Sequence, residues 1–228
     1  MTRLTPMPAA RFLRSLHICR RHNVAYVNNA KVACSSIKLA LQRAQTGDPT
    51  YQPPLGVHDW KSSPLITARD LTQENWADAL KGCFVFSFVR SPWARLRSAY
   101  LNKIVTGQKQ GGFRTQLGFD ADTLPSFEAF VYALGCQDPA GMNAHWRPQW
   151  INISHDVIHF DFVGRLEEVQ EDWAHVAART RLDPALPRAG KRTGGHPDAL
   201  PFDAAMADVV HRIYAEDFAR FDYPLTPS

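Results

Sequence analysis

The sequence predicts an α/β domain built around a mostly parallel sheet. Three observations carry this. Strand-like apolar runs alternate with helix-patterned stretches along the 228 residues. The run Cys83–Val89 ("CFVFSFV") is almost continuously apolar, as strands covered on both faces are. Two strand ends, after Val27 and after Val89, lead directly into helix starts. In open parallel sheets that junction lies at the edge where ligands bind.

The elements follow in order. Residues 1–22 read as a basic lead-in with little patterning, leaving 23–228 as a single domain. Asn23–Val27 ("NVAYV") is a short strand. Ser35–Ala44 is a helix, with Ile37, Leu39, Ala40, Leu41 and Ala44 forming its apolar face. Gly47–Pro54 is a loop, and Leu71–Leu80 a second helix. After Cys83–Val89, Ser91 reads as an N-cap and Pro92 as the first residue of a helix reaching about Ile104. The polar, glycine-containing stretch Thr106–Pro125 reads as a flexible insertion. A helix at Ser126–Leu134, a strand at Asp156–Phe160 ("DVIHF") and a helix at Leu166–Thr180 come next. A basic Pro/Gly loop precedes the last helix, where Phe202, Met206, Val209, Val210, Ile213, Tyr214 and Phe218 form one stripe.

Composition narrows the function. At 45% hydrophobic residues, the chain can bury a sizeable core. No stretch approaches the ~20 apolar residues of a membrane span, and no apolar leader follows the basic N-terminus. The chain is therefore expected to be soluble and cytoplasmic, or to be trimmed of such segments. Its four cysteines show neither C-x-x-C pairing nor zinc spacing, so no disulfide or metal is expected. The net charge of +4 is unevenly spread: eight Lys or Arg and no acid precede Asp48, and no acid lies between Asp78 and Asp120. Two acid-free basic stretches point to an anionic ligand.

The two strand–helix junctions give that anion a place. In "VNNAKVACSSIKLAL" (Val27–Leu41), Ser35 and Ser36 stand at a helix mouth, where backbone N–H groups are free to bind an anion. Lys31 adds a mobile charge. The stretch lacks the glycines and the Lys-Ser/Thr pair of a nucleotide-hydrolase loop. At the second junction the buried strand ends in Arg90, whose fork suits a phosphate. Ser98 lies two helical turns further on. A magnesium-dependent hydrolase would place an Asp at such a strand end. The rival run "VIHFD", ending in Asp161, is a poor match. Arg95 and Arg97 read as surface charges.

Together these stretches resemble sulfotransferases that use 3′-phosphoadenosine-5′-phosphosulfate (PAPS), in particular Golgi carbohydrate enzymes of the chondroitin type and their bacterial relatives. "AKVACSSIK" (Ala30–Lys38) is similar to that family's first motif, with Ala30 where the family usually has Pro. "FVRSPWARLRSAY" (Phe88–Tyr100) matches its second. "HWRPQ", "FDFVGRLEEVQEDW" and the terminal "IYAEDFARFDYP" extend the likeness from about Val24 onward. The resemblance implies a three-layer α/β sandwich related to P-loop nucleotide kinases. It implies that Lys31, Val32, Ala33, Cys34, Ser35 and Ser36 hold the 5′-phosphosulfate and that Lys31 stabilises the bridging oxygen. Arg90 and Ser98 would hold the 3′-phosphate, and the loop near Arg188–Thr193 resembles the segment that closes over the nucleotide. PAPS would be the donor, PAP the product, and no metal is implied.

Sulfuryl transfer to a hydroxyl gains from a general base. Of nine histidines, His58 ("GVHDW") falls between the two motifs, and His145 ("NAHWRPQ") is the second candidate. His155 and His159 read as strand residues. The acceptor is expected to carry a hydroxyl, a sugar by analogy. Three other readings stay open: a nucleoside or metabolite kinase on a related fold, a non-catalytic polyanion-binding protein, and a protein that keeps the fold and cofactor site without activity. The basic stretches lack interleaved aromatic stacking platforms, so nucleic acid is not expected as a partner.

Overall fold

A computed structural model of the chain describes residues 9–106, 110–189 and 200–227. They group into two compact units. One comprises the chain through Val89 together with Gln149–Gly190; the other comprises Arg90–Pro148 and Lys191–Ser228.

The first unit holds a four-stranded sheet in the order β1 (Leu16–Cys19), β2 (Val24–Val27), β3 (Phe84–Val89) and β4 (Phe162–Arg165). β2, β3 and β4 run parallel, while β1 pairs antiparallel with β2. The expected α/β class with a mostly parallel sheet is therefore observed. Tyr26 stands opposite Phe86, and Phe86 opposite Phe162. Side chains alternate along strands, so Val24, Tyr26, Phe86 and Phe88 share one face. That face forms a single buried cluster with Ile37 and Leu41 of α2 (Cys34–Thr46) and Trp173 and Val176 of α8 (Val169–Thr180). Gly164 sits opposite Phe88, and a Cβ there would lie 2.6 Å from that ring, so only glycine fits this close approach.

Two expectations change here. The lead-in 1–22 is not without elements: it contains α1 (Ala9–Leu13) and all of β1, whose four residues are buried. β1 escaped detection because "LHIC" is only four residues long and follows an arginine-rich stretch. The stretch expected as a strand at Asp156–Phe160 is turn and irregular chain, and the strand begins at Phe162. Asp161 sets the boundary. Its N–H donates to Val85 O (2.8 Å) and its carboxylate accepts from Val85 N (2.7 Å), so ladder pairing with β3 starts one residue later. His155 and His159 therefore lie outside the sheet.

The second unit is helical: α4 (Pro92–Ala99), a π-helical turn at Tyr100–Val105, α5 (Gln110–Thr115), α6 (Phe127–Gly135) and α9 (Ala204–Phe221). Pro92 opens α4 as expected, though Ser91 supplies no side-chain capping bond. Ser126 caps α6 by accepting from Ala129 N (3.1 Å), and Asp203 caps α9 by accepting from Met206 N (2.7 Å). Arg95 and Arg97, expected at the surface, are 1% and 7% exposed. Arg95 donates to Arg147 O (2.8 Å) and Ala144 O (2.9 Å), and Arg97 to Leu200 O (2.9 Å). The guanidinium fork lets one side chain satisfy several buried carbonyls. The stretch read as a flexible insertion contains α5. There the buried Arg114 donates to Ile104 O (2.9 Å) and Ala121 O (3.0 Å), tying the segment down.

α3 (Trp76–Leu80) and α7 (Gln149–Asn152) are short helices of the first unit.

Candidate functional site

The loop between β2 and α2 is built around backbone geometry. Lys31 and Ala33 adopt left-handed conformations, with φ of 72° and 61°. Neither is glycine, and each such residue stores roughly 1 kcal/mol or more of strain. Alternating handedness turns successive N–H groups inward, the backbone arrangement that anion-binding concavities use. Ala33 is the N-cap residue of α2 and contributes no capping side chain. The first-turn N–H groups of Cys34, Ser35 and Ser36 have no intrahelical acceptors. No acidic residue stands in that turn. The helix dipole therefore acts through a first turn that carries no acid, where an anion is stabilised by ~0.3–1 kcal/mol or more. Val32 is fully buried and anchors the loop in the core beneath.

Two side chains at the mouth have defined partners. Ser35 Oγ lies 2.8 Å from His58 Nε2, so the structure brings together the anion loop and the first-choice histidine. His58 is exposed. The adjacent Asp59 turns away, its carboxylate accepting from Ser62 N (3.0 Å) and Ser62 Oγ (2.5 Å). Ser36 Oγ accepts from Ala189 N (3.1 Å) and donates to Ala189 O (3.4 Å). This draws the segment ending at Ala189 to the mouth of α2. Arg188 is described and exposed. Residues 190–193 of the loop expected to close over a nucleotide lie outside the described residues.

The loop is held from behind by a network that the sequence did not reveal. Asn29 is fully buried, and its Nδ2 donates to Phe88 O (3.1 Å) and Gln149 Oε1 (3.0 Å). Its Oδ1 accepts from Asn152 Nδ2 (3.2 Å). One amide thus ties the loop to the end of β3 and to α7. The available signal was the Gln149 that ends "HWRPQ", a polar residue heading a helix directly after Pro148.

A second unforeseen group is Lys38, 5% exposed on α2. Burial pushes its ammonium down to about 8. His17, on β1, is 4% exposed and held well below the usual histidine range, first by burial and then by the charges of Lys38 and His58. The His17 Nε2 and Tyr26 Oη atoms are buried without a hydrogen-bond partner among the described residues.

In the second unit, Arg90 follows β3 directly and is half-buried, and Ser98 is buried on α4. His145 is half-buried, its ring edge-on to Phe113 at 5.8 Å. Among the described residues, no group of three or more His, Cys, Asp or Glu could share a metal ion.

Comparison with known proteins places this geometry. The pattern of the sulfotransferase family matches residues 14–224. The chain is 29% identical over 232 residues to carbohydrate sulfotransferase 14 of Homo sapiens, covering 93% of this chain and 61% of that protein. It is 28% identical over 257 residues to carbohydrate sulfotransferase 12 of Mus musculus, covering 93% and 60%. It is 25% identical over 240 residues to carbohydrate sulfotransferase 11 of Danio rerio, covering 93% and 68%. The chain thus spans about three-fifths of the length of the first of these relatives. No solved structure matches it. The expectation of a cytoplasmic protein is overturned, because the relatives are carbohydrate sulfotransferases, the Golgi group of the resemblance. That no described helix is long and apolar enough to cross a membrane says nothing about compartment. With its family pattern running from the start of β1 to beyond α9, the chain belongs to the sulfotransferase family.

Proposed function

We propose that this protein transfers the sulfuryl group of PAPS to a hydroxyl of a carbohydrate acceptor, in line and without a metal. The observation that carries the reading is the 2.8 Å contact between Ser35 Oγ and His58 Nε2, which sets a basic nitrogen at the mouth of an acid-free anion loop. The family and its carbohydrate-sulfating relatives support donor and acceptor class. The finer fold reading, a three-layer sandwich of the P-loop nucleotide-kinase kind, belongs to the same proposal.

PAPS supplies an activated sulfuryl group. The backbone N–H groups and hydroxyls of Val32–Ser36 hold its 5′-phosphosulfate, and Arg90 and Ser98 its 3′-phosphate. Lys31 balances charge on the bridging oxygen as the S–O bond breaks. The acceptor oxygen forms the new S–O bond and gives its proton to His58, with His145 as the second candidate. Ser35 orients the imidazole through Nε2. The chain's contribution is positioning and electrostatics, as in phosphoryl transfer.

Calorimetry with PAP, and separately with ATP and magnesium, tests the donor. Binding of PAP is expected; binding of magnesium–ATP alone would replace this reading with a kinase. A labelled-PAPS screen over sugar, lipid, peptide and small-molecule hydroxyls tests the acceptor.

A further inference from the structure

Ser35, Lys38 and Gln42 lie three and four residues apart and so form one stripe on α2. The 57–63 loop is fastened to both ends of it. His58 bonds Ser35 (2.8 Å), while Gln42 Nε2 donates to Val57 O (3.4 Å) and Ser63 Oγ (3.4 Å). Lys38 lies between these fastenings on the same stripe and is 5% exposed. Helical side chains lean toward the helix N-terminus, so its ammonium heads for the mouth of α2. Its electrostatic coupling to Cys34, the first residue of that helix, agrees.

Among the described residues, no acid is electrostatically coupled to it. The one carboxylate of the 57–63 loop, Asp59, is engaged by Ser62. Among the described residues, the titratable groups coupled around Lys38 are Cys34 and His17, with His58 coupled to His17 and Tyr26 to Cys34. None is an acid that is charged at neutral pH. A buried ammonium with no counter-charge is costly. It becomes favourable when an anion arrives beside it.

We propose that Lys38 is a second cation of the anion site and takes up a proton when the donor's 5′-anionic group binds at the mouth of α2. This rests on the PAPS reading above. The resting ammonium, at about 8, is partly uncharged near pH 8.5. The arriving anion restores its charge, and the proton comes from buffer.

The test is calorimetry of PAP at pH 8.5 in buffers of different ionisation enthalpy, with 3′-AMP, which lacks the 5′-phosphate, as the second probe. Wild type should take up a substantial fraction of a proton with PAP and almost none with 3′-AMP. Lys38→Met should bind PAP about tenfold weaker or worse, without the uptake. Lys38→Arg, which keeps the charge permanently, should recover part of the affinity and still show no uptake. Unaltered uptake in either variant, or equal uptake with 3′-AMP, overturns the proposal while leaving the PAPS reading intact. A folded wild type that binds no PAP overturns both.

Discussion

Replacing Asn29 by Ala should destabilise the protein by about 3 kcal/mol. The side chain is fully buried and makes three hydrogen bonds, to Phe88 O, Gln149 Oε1 and Asn152 Nδ2, at 3.0–3.2 Å. Each is worth net about 1 kcal/mol. The three partners belong to β3 and α7, so the loss falls on the framework that holds the anion loop rather than on one local contact. Urea denaturation followed by tryptophan fluorescence gives the change in midpoint at constant slope. A loss below about 1 kcal/mol would refute the reasoning, for it would mean the amide is replaceable by water or by relaxation. The double variant Asn29→Ala/Gln149→Ala supplies an internal check. The Asn29–Gln149 bond is removed by either change, so the two losses should fall short of additive by about 1 kcal/mol. PAP affinity of Asn29→Ala, measured below its unfolding range, should also fall, since the loop loses its rear support.

Three further outcomes are expected. His58→Ala should cut turnover by ~10²–10⁴-fold while PAP binding stays nearly intact; steady-state kinetics beside PAP titration separates the two, and near-normal turnover removes His58 from the base role. Arg90→Ala should weaken PAP binding by ~1.5–3 kcal/mol, read by the same titration, and an unchanged affinity would remove Arg90 from the 3′-phosphate. Lys38→Met should flatten the pH dependence of stability at alkaline pH. The folded lysine at about 8 lies below its ordinary 10.5. Between those values the unfolded chain binds more protons, so wild-type stability rises with pH through that window, by up to about 3 kcal/mol. The variant should lose that rise in denaturant titrations from pH 7.5 to 10.5.

What the sequence disclosed follows from where the information lies. β3 was legible because five of its six residues are apolar and all but Phe84 are buried, and α2 because its apolar positions recur at helical spacing. The anion loop was legible as chemistry, Lys31 and two serines before a helix, but its left-handed residues were not, since Lys and Ala do not announce a positive φ as glycine does. Arg95 and Arg97 were misread because charge normally signals solvent; only the fold shows the carbonyls that take up their N–H groups. Asn29, Gln149 and Asn152 are 120 or more residues apart across two of their bonds, beyond any local pattern. Lys38 was visible as a residue of the first motif, while its burial is a property of the folded chain that no local pattern announces.

β1 has a bearing on how this protein can be handled. It is the outer strand of the sheet, and its own free side is partly closed by reciprocal bonds between Ile18 and Ile66, both at 3.0 Å. A chain trimmed to begin at Asn23 would lose the strand, that closure and His17 together. β2, four buried residues with no charge among them, would become an open hydrogen-bonding edge. Such an edge recruits another copy of itself. Shortened forms should therefore come out of expression as aggregates, and the N-terminal boundary for any soluble preparation belongs ahead of α1.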